Sequence, residues 1–148
     1  MGTRGGGAGD VQEEGGRKLI LQMFGSAVSS YYWKVSTTYG QNCASSTQAA
    51  AKAAGFDFAY VQVHPNNRWS FPRDVPNMTH DELEALGAPE SGSVDAAEGA
   101  RILAEMNCDA AMNHMFCFPG MTTYRSLLDF LNVPYVGCSA ESMVGWYE

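Results

Sequence analysis

The sequence has few basic residues and no cluster of them. Lys and Arg number 9 against 16 Asp and Glu, which gives a formal net charge of −7. Nucleic acids and anionic membrane surfaces attract proteins through clustered Lys and Arg. We therefore expect neither a nucleic acid nor a membrane surface as a partner of this chain.

Long apolar runs are also missing. The apolar stretches are short, as in Leu19–Leu21 and Ala49–Ala51, whereas a membrane-spanning helix needs roughly 20 apolar residues. The N-terminus lacks the apolar core of a secretory signal, and its composition indicates a flexible Gly-rich segment over residues 1–17. The sequence predicts a protein of the cytoplasm with no membrane-spanning helix.

Several site motifs are absent as well. No CxxC pair occurs and no Cys/His spacing suits zinc, so we expect no metal site. Neither GxGxxG nor GxxxxGK[ST] is present, which excludes the common dinucleotide and P-loop fingerprints. No nucleophile elbow occurs, and we assign no catalytic residue. The four cysteines are predicted to be small buried residues in a reducing compartment: Cys43, Cys108, Cys117 and Cys138.

What the sequence does contain is an alternation of strand and helix patterns over 148 residues, of which 45% are apolar. Apolar, aromatic and β-branched runs predict four strands: Lys18–Phe24, Phe56–Val63, Asp109–His114 and Val133–Val136. Helical composition and capping residues predict five helices. They are Ser29–Ala54 with a break or kink at Gly40, a short helix opened by a capping box at Thr79–Glu82, a helix capped by Asp95 that runs through Met106, one capped by Thr122 or Thr123 that runs through Leu131, and one that begins with Ala140–Trp146. His64–Phe71 and the surroundings of Phe118–Gly120 are predicted to be turns and loops.

This order predicts one α/β domain over residues 18–148, a three-layer Rossmann-like parallel sheet with helices on both faces and right-handed crossovers. In such sheets, ligands bind beyond the carboxyl ends of the strands. The loops expected on that rim are Gly25–Tyr32, His64–Trp69, Asn113–Thr122 and Gly137–Ser142.

Two of these loops supply candidate binding residues. Gly25–Tyr32 is a small polar turn before a helix, so its backbone N–H groups and the helix dipole suit a carboxylate or phosphate, although a plain structural turn has the same composition. His114 stands at a predicted strand end, where it is either a functional group or a hydrogen-bonded structural residue.

The most specific pattern is the segment Leu127–Ser139, which reads LLDFLNVPYVGCS. It resembles the "LLELLGIPYVGS"-like string that ends the N-terminal domain of D-alanine–D-alanine ligases, with Asn132 where the family usually has Gly. Other pieces follow in the family's order: Leu19–Phe24 with Gly25-Ser26 for its first strand and turn, Ser29–Ser36 for its Ser-x-Glu-His-x-Val-Ser stretch, Val61–Trp69 for its second strand, and Cys108–Gly120 for its His-Gly-x-x-Gly-Glu-Asp-Gly loop.

The resemblance implies the pre-ATP-grasp, substrate-side domain of an ATP-dependent carboxylate–amine ligase that forms a dipeptide for peptidoglycan through an acyl phosphate. It implies a small amino acid such as D-alanine as the ligand, with Ser29, Ser30, Tyr31 and His114 as substrate-binding residues. ATP and Mg²⁺ are expected only for a longer parent enzyme, since the family's ATP-grasp domain follows the last matching segment. That domain is the expected partner, and a homodimer stays open. The chain alone is expected to be inactive.

The sequence departs from the family at both substrate loops. The family's first-loop Glu falls on Ser30 or Tyr32, depending on register, and its Gly-Glu-Asp-Gly part reads Pro119–Thr122. A neutral hydroxyl binds an ammonium about half as strongly as a carboxylate does. Three alternatives therefore stay open: a ligase for another carboxylate, a stand-alone non-catalytic amino-acid-binding or interaction domain, and a flavodoxin-like or dinucleotide-binding domain.

Overall fold

A computed structural model describes residues 16–73 and 92–145. Five strands are present there: β1 (Lys18–Gly25), β2 (Phe56–Val63), β3 (Trp69–Ser70), β4 (Ala110–Asn113) and β5 (Tyr135–Val136). Five helices accompany them: α1 (Ser30–Ala53), α2 (Ala96–Glu105), α3 (Phe118–Met121), α4 (Thr123–Phe130) and α5 (Ala140–Val144). The four predicted strands, and the predicted helices that fall on described residues, are thus confirmed as strands and helices. The predicted helix at Thr79–Glu82 lies outside the described residues, as do residues 1–15.

The strands form one sheet in the order β3-β2-β1-β4-β5. β2, β1, β4 and β5 run parallel, and β3 is antiparallel to β2 at the edge. The expected all-parallel sheet is wrong at this edge, and Trp69–Ser70, expected in a loop, form a strand. The turn chemistry expected at Pro65–Asn67 is confirmed. The turn at Asn67, whose φ is 56°, and the hydrogen bond from His64 N to Arg68 O at 2.9 Å fold the chain back along β2.

Side chains alternate between the two faces of this sheet, as the two-residue period of a strand requires. Leu21 and Met23 belong to a core with Leu103 of α2 and Leu128 of α4. On the opposite face, Phe24 packs with Tyr60 of β2 and Ala44 of α1. Helices therefore cover both faces of an α/β sheet that is compatible with a Rossmann-like fold.

Helix α1 passes through Gly40 without interruption. The predicted break there is wrong, because this glycine serves packing: a Cβ on it would lie 2.8 Å from Cβ of Phe24. The absent side chain lets α1 approach β1 closely, which fixes the helix across the end of the central strand.

The predicted loop around Phe118–Gly120 is also wrong, since these residues lie in the short helix α3. Pro119 stands in its first turn, where a proline has no intrahelical N–H bond to lose. Gly120 lies against Met115, because a Cβ there would come within 2.4 Å of the methionine Cβ. This short helix brings the chain from β4 directly into α4.

The predicted helix caps have different outcomes. Asp95 caps α2 as expected, and its Oδ1 accepts from Glu98 N at 2.9 Å. Thr122 precedes α4 without capping it, since its hydroxyl donates to Phe118 O at 2.8 Å instead.

The segment Leu127–Ser139 runs from helix to parallel strand. After α4 the chain turns at Asn132, whose φ of 54° lies in the left-handed region. β5 then pairs with β4 in parallel. β5 begins at Tyr135 rather than at the expected Val133, since Pro134 has no N–H to donate to a ladder. The carbonyl oxygen of Pro134 still accepts a hydrogen bond from Ala111 N at 2.7 Å.

All four cysteines are free thiols. Cys108 and Cys117 are buried as predicted, but Cys43 is half-buried and Cys138 is exposed, so the prediction of burial is wrong for these two. Within the described ranges, no helix has both the length and the apolar content to cross a bilayer.

Candidate functional site

The candidate site lies at the carboxyl ends of β1 and β4, where the strand order reverses. The chain leaves β1 toward α1 on one face of the sheet and leaves β4 toward α3 and α4 on the other. Loops that diverge in this way leave a crevice between neighbouring strands, and α/β proteins bind ligands there.

The first loop at this crevice is held firmly by β2. Gly25 has a φ of 106°, and a Cβ on it would lie 2.0 Å from the carbonyl oxygen of Val63, so only glycine fits. Ser26 is fully buried, donates its N–H to Val63 O at 2.9 Å, and accepts from Val28 N at 3.0 Å through its hydroxyl. The turn is therefore a fixed platform for the start of α1.

Ser29, Ser30 and Tyr31 form the beginning of α1, at the surface. Ser29 is the N-cap, and its hydroxyl accepts from Tyr32 N at 3.3 Å. Ser30 is exposed, and Tyr31 is 69% exposed with its ring in an edge contact to Tyr32 at 5.5 Å. These residues place the positive end of a 24-residue helix at the carboxyl edge of the sheet.

His114 follows β4 directly and is buried. Its Nε2 lies 2.8 Å from Oε1 of Gln22, a residue of β1 that is also buried. Since an amide oxygen accepts, Nε2 carries the proton and Nδ1 is an acceptor. Burial lowers the pKa of His114, so the ring is neutral at pH 7. The site thus offers an uncharged imidazole.

Ser36 connects the two strands at the crevice. Its buried hydroxyl accepts from Gly25 N at 2.8 Å and donates to the carbonyl oxygen of His114 at 2.7 Å. The sequence marks Ser36 only as the last residue of the stretch Ser29–Ser36. Gln22 was missed, although it is the one polar residue inside the apolar run Leu19–Phe24 and could have been singled out for that reason.

Aromatic side chains form the outer wall of the crevice. The ring of Tyr39 lies 5.7 Å from that of His114 and 5.1 Å from that of Phe116. Both aromatic residues are partly exposed, Tyr39 at 51% and Phe116 at 39%. A groove of about 380 Å³ continues along α1 beside them and is lined by Lys34, Val35, Thr38, Tyr39 and Asn42.

The structure brings His114 close to the middle of α1 rather than to its first turn. His114 bonds to Gln22, Met23 and Ser36 and packs against the ring of Tyr39. Ser29 and Tyr31 instead make their side-chain contacts with Tyr32 of their own helix. The predicted binding residues therefore share one edge of the sheet, but these contacts do not join His114 to Ser29 or Tyr31.

This edge carries little charge. The loops Gly25–Tyr32 and Asn113–Thr122 contain no Asp, Glu, Lys or Arg. In the described parts of the chain, no three His, Cys, Asp or Glu side chains come together as metal ligands would. The crevice can offer backbone N–H groups and hydroxyls, which suit a carboxylate, and an uncharged imidazole whose remaining nitrogen is an acceptor.

A second groove, of about 320 Å³, opens on the opposite face between the starts of α2 and α4. Trp69, Tyr124 and three alanines of α2 line most of it. Asn67 stands at its end, and its Oδ1 accepts from the Tyr124 hydroxyl at 2.9 Å. The same Oδ1 accepts from the Trp69 indole N–H at 3.4 Å, so the two aromatic side chains of this mainly apolar groove are both bonded to Asn67.

Comparison with protein-family models, with curated proteins and with solved structures gave no match. The functional argument therefore depends on the residues and on the geometry of this edge.

Proposed function

We propose that this chain is the substrate-side domain of an ATP-dependent carboxylate–amine ligase that resembles D-alanine–D-alanine ligases. It contributes one wall of a pocket for a small amino acid at the carboxyl edge of β1 and β4. An ATP-grasp domain supplies the opposite wall, the ATP site and the Mg²⁺ ligands. The proposal places this reaction in the cytoplasm.

The observation that carries the proposal is the course of Leu127–Ser139. The resemblance requires this segment to run from a helix through a tight turn into a parallel strand beside the first strands of the sheet. In the fold it does so, since α4 leads through Asn132 into β5, and β5 pairs with β4 next to β1. Asn132 has a φ of 54°, which favours Gly and tolerates Asn, and this supports its place where the family usually has Gly.

The first loop is the proposed carboxylate contact. A carboxylate is stabilised where backbone N–H groups and a helix N-terminus meet. Ser29, Ser30 and Tyr31 stand at that point, on a turn that Gly25 and Val63 hold in place. His114 closes the other side of the crevice with an uncharged ring, so the pocket tolerates a carboxylate without forming a fixed ion pair with it.

The chemical step belongs to the partner domain. In ligases of this kind, ATP phosphorylates one carboxylate and the amine of the second substrate attacks the acyl phosphate, with Mg²⁺ neutralising the phosphates. The described residues provide no group of carboxylates for Mg²⁺. The proposal therefore assigns substrate positioning to this chain and assigns phosphoryl transfer to the ATP-grasp domain.

A second candidate function is a stand-alone, non-catalytic amino-acid-binding domain. The uncharged loops favour it, because neither Ser30 nor Tyr32 supplies the carboxylate that would hold an ammonium, and Pro119–Thr122 supplies none either. Such a domain binds the carboxylate end of its ligand and depends less on the amine.

Isothermal titration of the chain with D-alanine, L-alanine, propionate and ATP tests the proposal. We expect D-alanine to bind and ATP not to bind. Ser30→Ala is expected to weaken binding, whereas Ser45→Ala, an exposed position farther along the same helix, leaves it unchanged. Equal binding of propionate and D-alanine favours the second candidate. Failure of every small amino acid to bind, or tight binding of ATP, contradicts the proposal.

A further inference from the structure

Two buried aromatic rings with polar nitrogens lie side by side at the end of β2. Trp33, in the first turn of α1, is 3% exposed, and His64, which directly follows β2, is 1% exposed. Their ring centroids are 5.9 Å apart and the planes are inclined at 39°. Neither residue is among those assigned to binding at the carboxyl ends of β1 and β4.

Both rings have a nitrogen without a hydrogen-bond partner. Within residues 16–73 and 92–145, the indole Nε1 of Trp33 and Nδ1 of His64 are buried and bonded to nothing. The other ring nitrogen of the histidine, Nε2, lies 2.8 Å from the hydroxyl oxygen of Ser70. Buried polar atoms in native proteins are almost always hydrogen-bonded to protein groups or to ordered water. Two unpaired nitrogens on neighbouring rings therefore indicate that a polar group from outside the chain binds here.

The two nitrogens have opposite hydrogen-bonding roles. An indole N–H is a donor and never an acceptor. Burial lowers the pKa of His64 to about 4, so its ring is neutral at pH 7 and has one donor and one acceptor nitrogen. In the tautomer whose Nε2 donates to the Ser70 hydroxyl, Nδ1 is the acceptor. A bound group that satisfies both rings in this tautomer must accept one hydrogen bond and donate one.

We propose that Trp33 and His64 form a binding site for a hydroxyl group, whose oxygen accepts from the indole N–H and whose hydrogen is donated to Nδ1. The hydroxyl belongs either to a resident water or to a small alcohol. The proposal uses none of the residues assigned to amino-acid binding, namely Ser29, Ser30, Tyr31 and His114, so its test is independent of the proposed function.

Proton NMR of the ¹⁵N-labelled chain tests the site. The indole signal of Trp33 is identified by its loss in Trp33→Phe, and the Trp69 indole, which is bonded to Asn67 Oδ1 at 3.4 Å, is the internal control. We expect a rotating-frame Overhauser contact between the Trp33 indole proton and a long-lived water. Methanol titration then separates the two sources: a shift of the Trp33 signal with loss of the water contact shows that an alcohol enters, and an unchanged contact shows a resident water.

Histidine ¹⁵N shifts give a second readout that does not require a variant. The site requires the neutral tautomer of His64 with the proton on Nε2 at pH 7. A proton on Nδ1 would remove the acceptor and overturn the proposal. It would also be overturned if the Trp33 indole proton contacted no water and its signal did not respond to methanol.

Discussion

The hydroxyl of Ser36 donates a hydrogen bond to the carbonyl oxygen of His114 at 2.7 Å, across 78 residues of sequence. The hydroxyl oxygen of Ser36 also accepts a hydrogen bond from Gly25 N at 2.8 Å. One buried side chain of α1 therefore holds together the ends of β1 and β4, the two strands that border the crevice. The position of His114 depends on this contact as well as on Gln22.

Replacing Ser36 with Ala is expected to destabilise the fold by about 1–3 kcal/mol, because a buried N–H and a buried carbonyl both lose their partner. Urea unfolding measured by circular dichroism gives the change in the free energy of unfolding. Ser45→Ala is the matched control, since Ser45 is exposed on the same helix and its hydroxyl bonds to Asn42 O at 3.3 Å. Equal effects of the two substitutions would contradict the role of Ser36.

Gly25 and Gly55 are predicted to differ in their tolerance of Ala. Both have positive φ, 106° and 89°, so a side chain strains the backbone at either position. At Gly25 the new Cβ would also lie 2.0 Å from Val63 O, whereas at Gly55 nothing lies within 4 Å. We expect Gly55→Ala to cost about 1–2 kcal/mol and Gly25→Ala to cost clearly more. Thermal unfolding of both variants in parallel makes the comparison, and similar melting temperatures would count against the close approach of the first loop to β2.

Acid is expected to weaken the fold between about pH 6.5 and pH 4. Burial lowers the pKa of His64 from 6.5 to about 4 and lowers that of His114 as well. In this window the unfolded chain binds protons that the folded chain does not, so the stability that is fully present above pH 6.5 is lost as the pH falls. Up to about 3 kcal/mol is expected from His64.

Urea titrations at several pH values check this slope, and His64→Gln is expected to flatten it. Arg17 and the N–H of Leu19 lower the pKa values of the Asp57 and Asp109 carboxyls, respectively, and the stability that these carboxyls contribute is lost only below about pH 5. The slope between about pH 6.5 and pH 5 therefore reports the histidines. A wild-type free energy of unfolding that is constant from pH 7 to pH 4.5 would show that the two histidines are not buried as neutral rings.

Local patterns were enough to predict most of the described fold. β2 was predicted with its observed bounds, because Phe56–Val63 combines aromatic and β-branched residues between turn signals. The errors arose where a residue acts through a distant partner. Gly40 indicates a break when read locally, but its contact is Phe24, and Thr122 looks like a cap until its bond to Phe118 is seen.

The candidate site was predictable in position but not in composition. Strand order places the loops of β1 and β4 on one edge, and His114 follows from its place at a strand end. Ser36 could not be assigned from the sequence, because it lies inside a helix among other polar residues. Gln22 stands out as the one polar residue of an apolar strand, but the sequence does not reveal that its partner is His114. Their roles come from contacts between segments that are far apart in the chain.

Asn132 offers a test of the turn between α4 and β5. Its φ of 54° lies in the left-handed region, which Gly adopts without strain and Asn adopts more readily than most other residues. Asn132→Gly is expected to change the free energy of unfolding by less than about 0.5 kcal/mol, and Asn132→Ala to cost about 1–2 kcal/mol. Asn42, in the middle of α1, is the control position. There Asn42→Gly is expected to be less stable than Asn42→Ala, because Gly costs about 1 kcal/mol relative to Ala inside a helix. The same order of Gly and Ala at both positions would contradict the turn.

The most direct test of the proposed function is an NMR titration of the ¹⁵N-labelled chain with D-alanine, followed by amide and histidine ring signals. We predict saturable shifts at Gly25, at residues 28–31 and at His114, on the carboxyl edge of β1 and β4, with no shift at Gly55 or Asp109 on the opposite edge. Shifts confined to the opposite edge, or no shift with D-alanine or any other small amino acid at millimolar concentration, would contradict it.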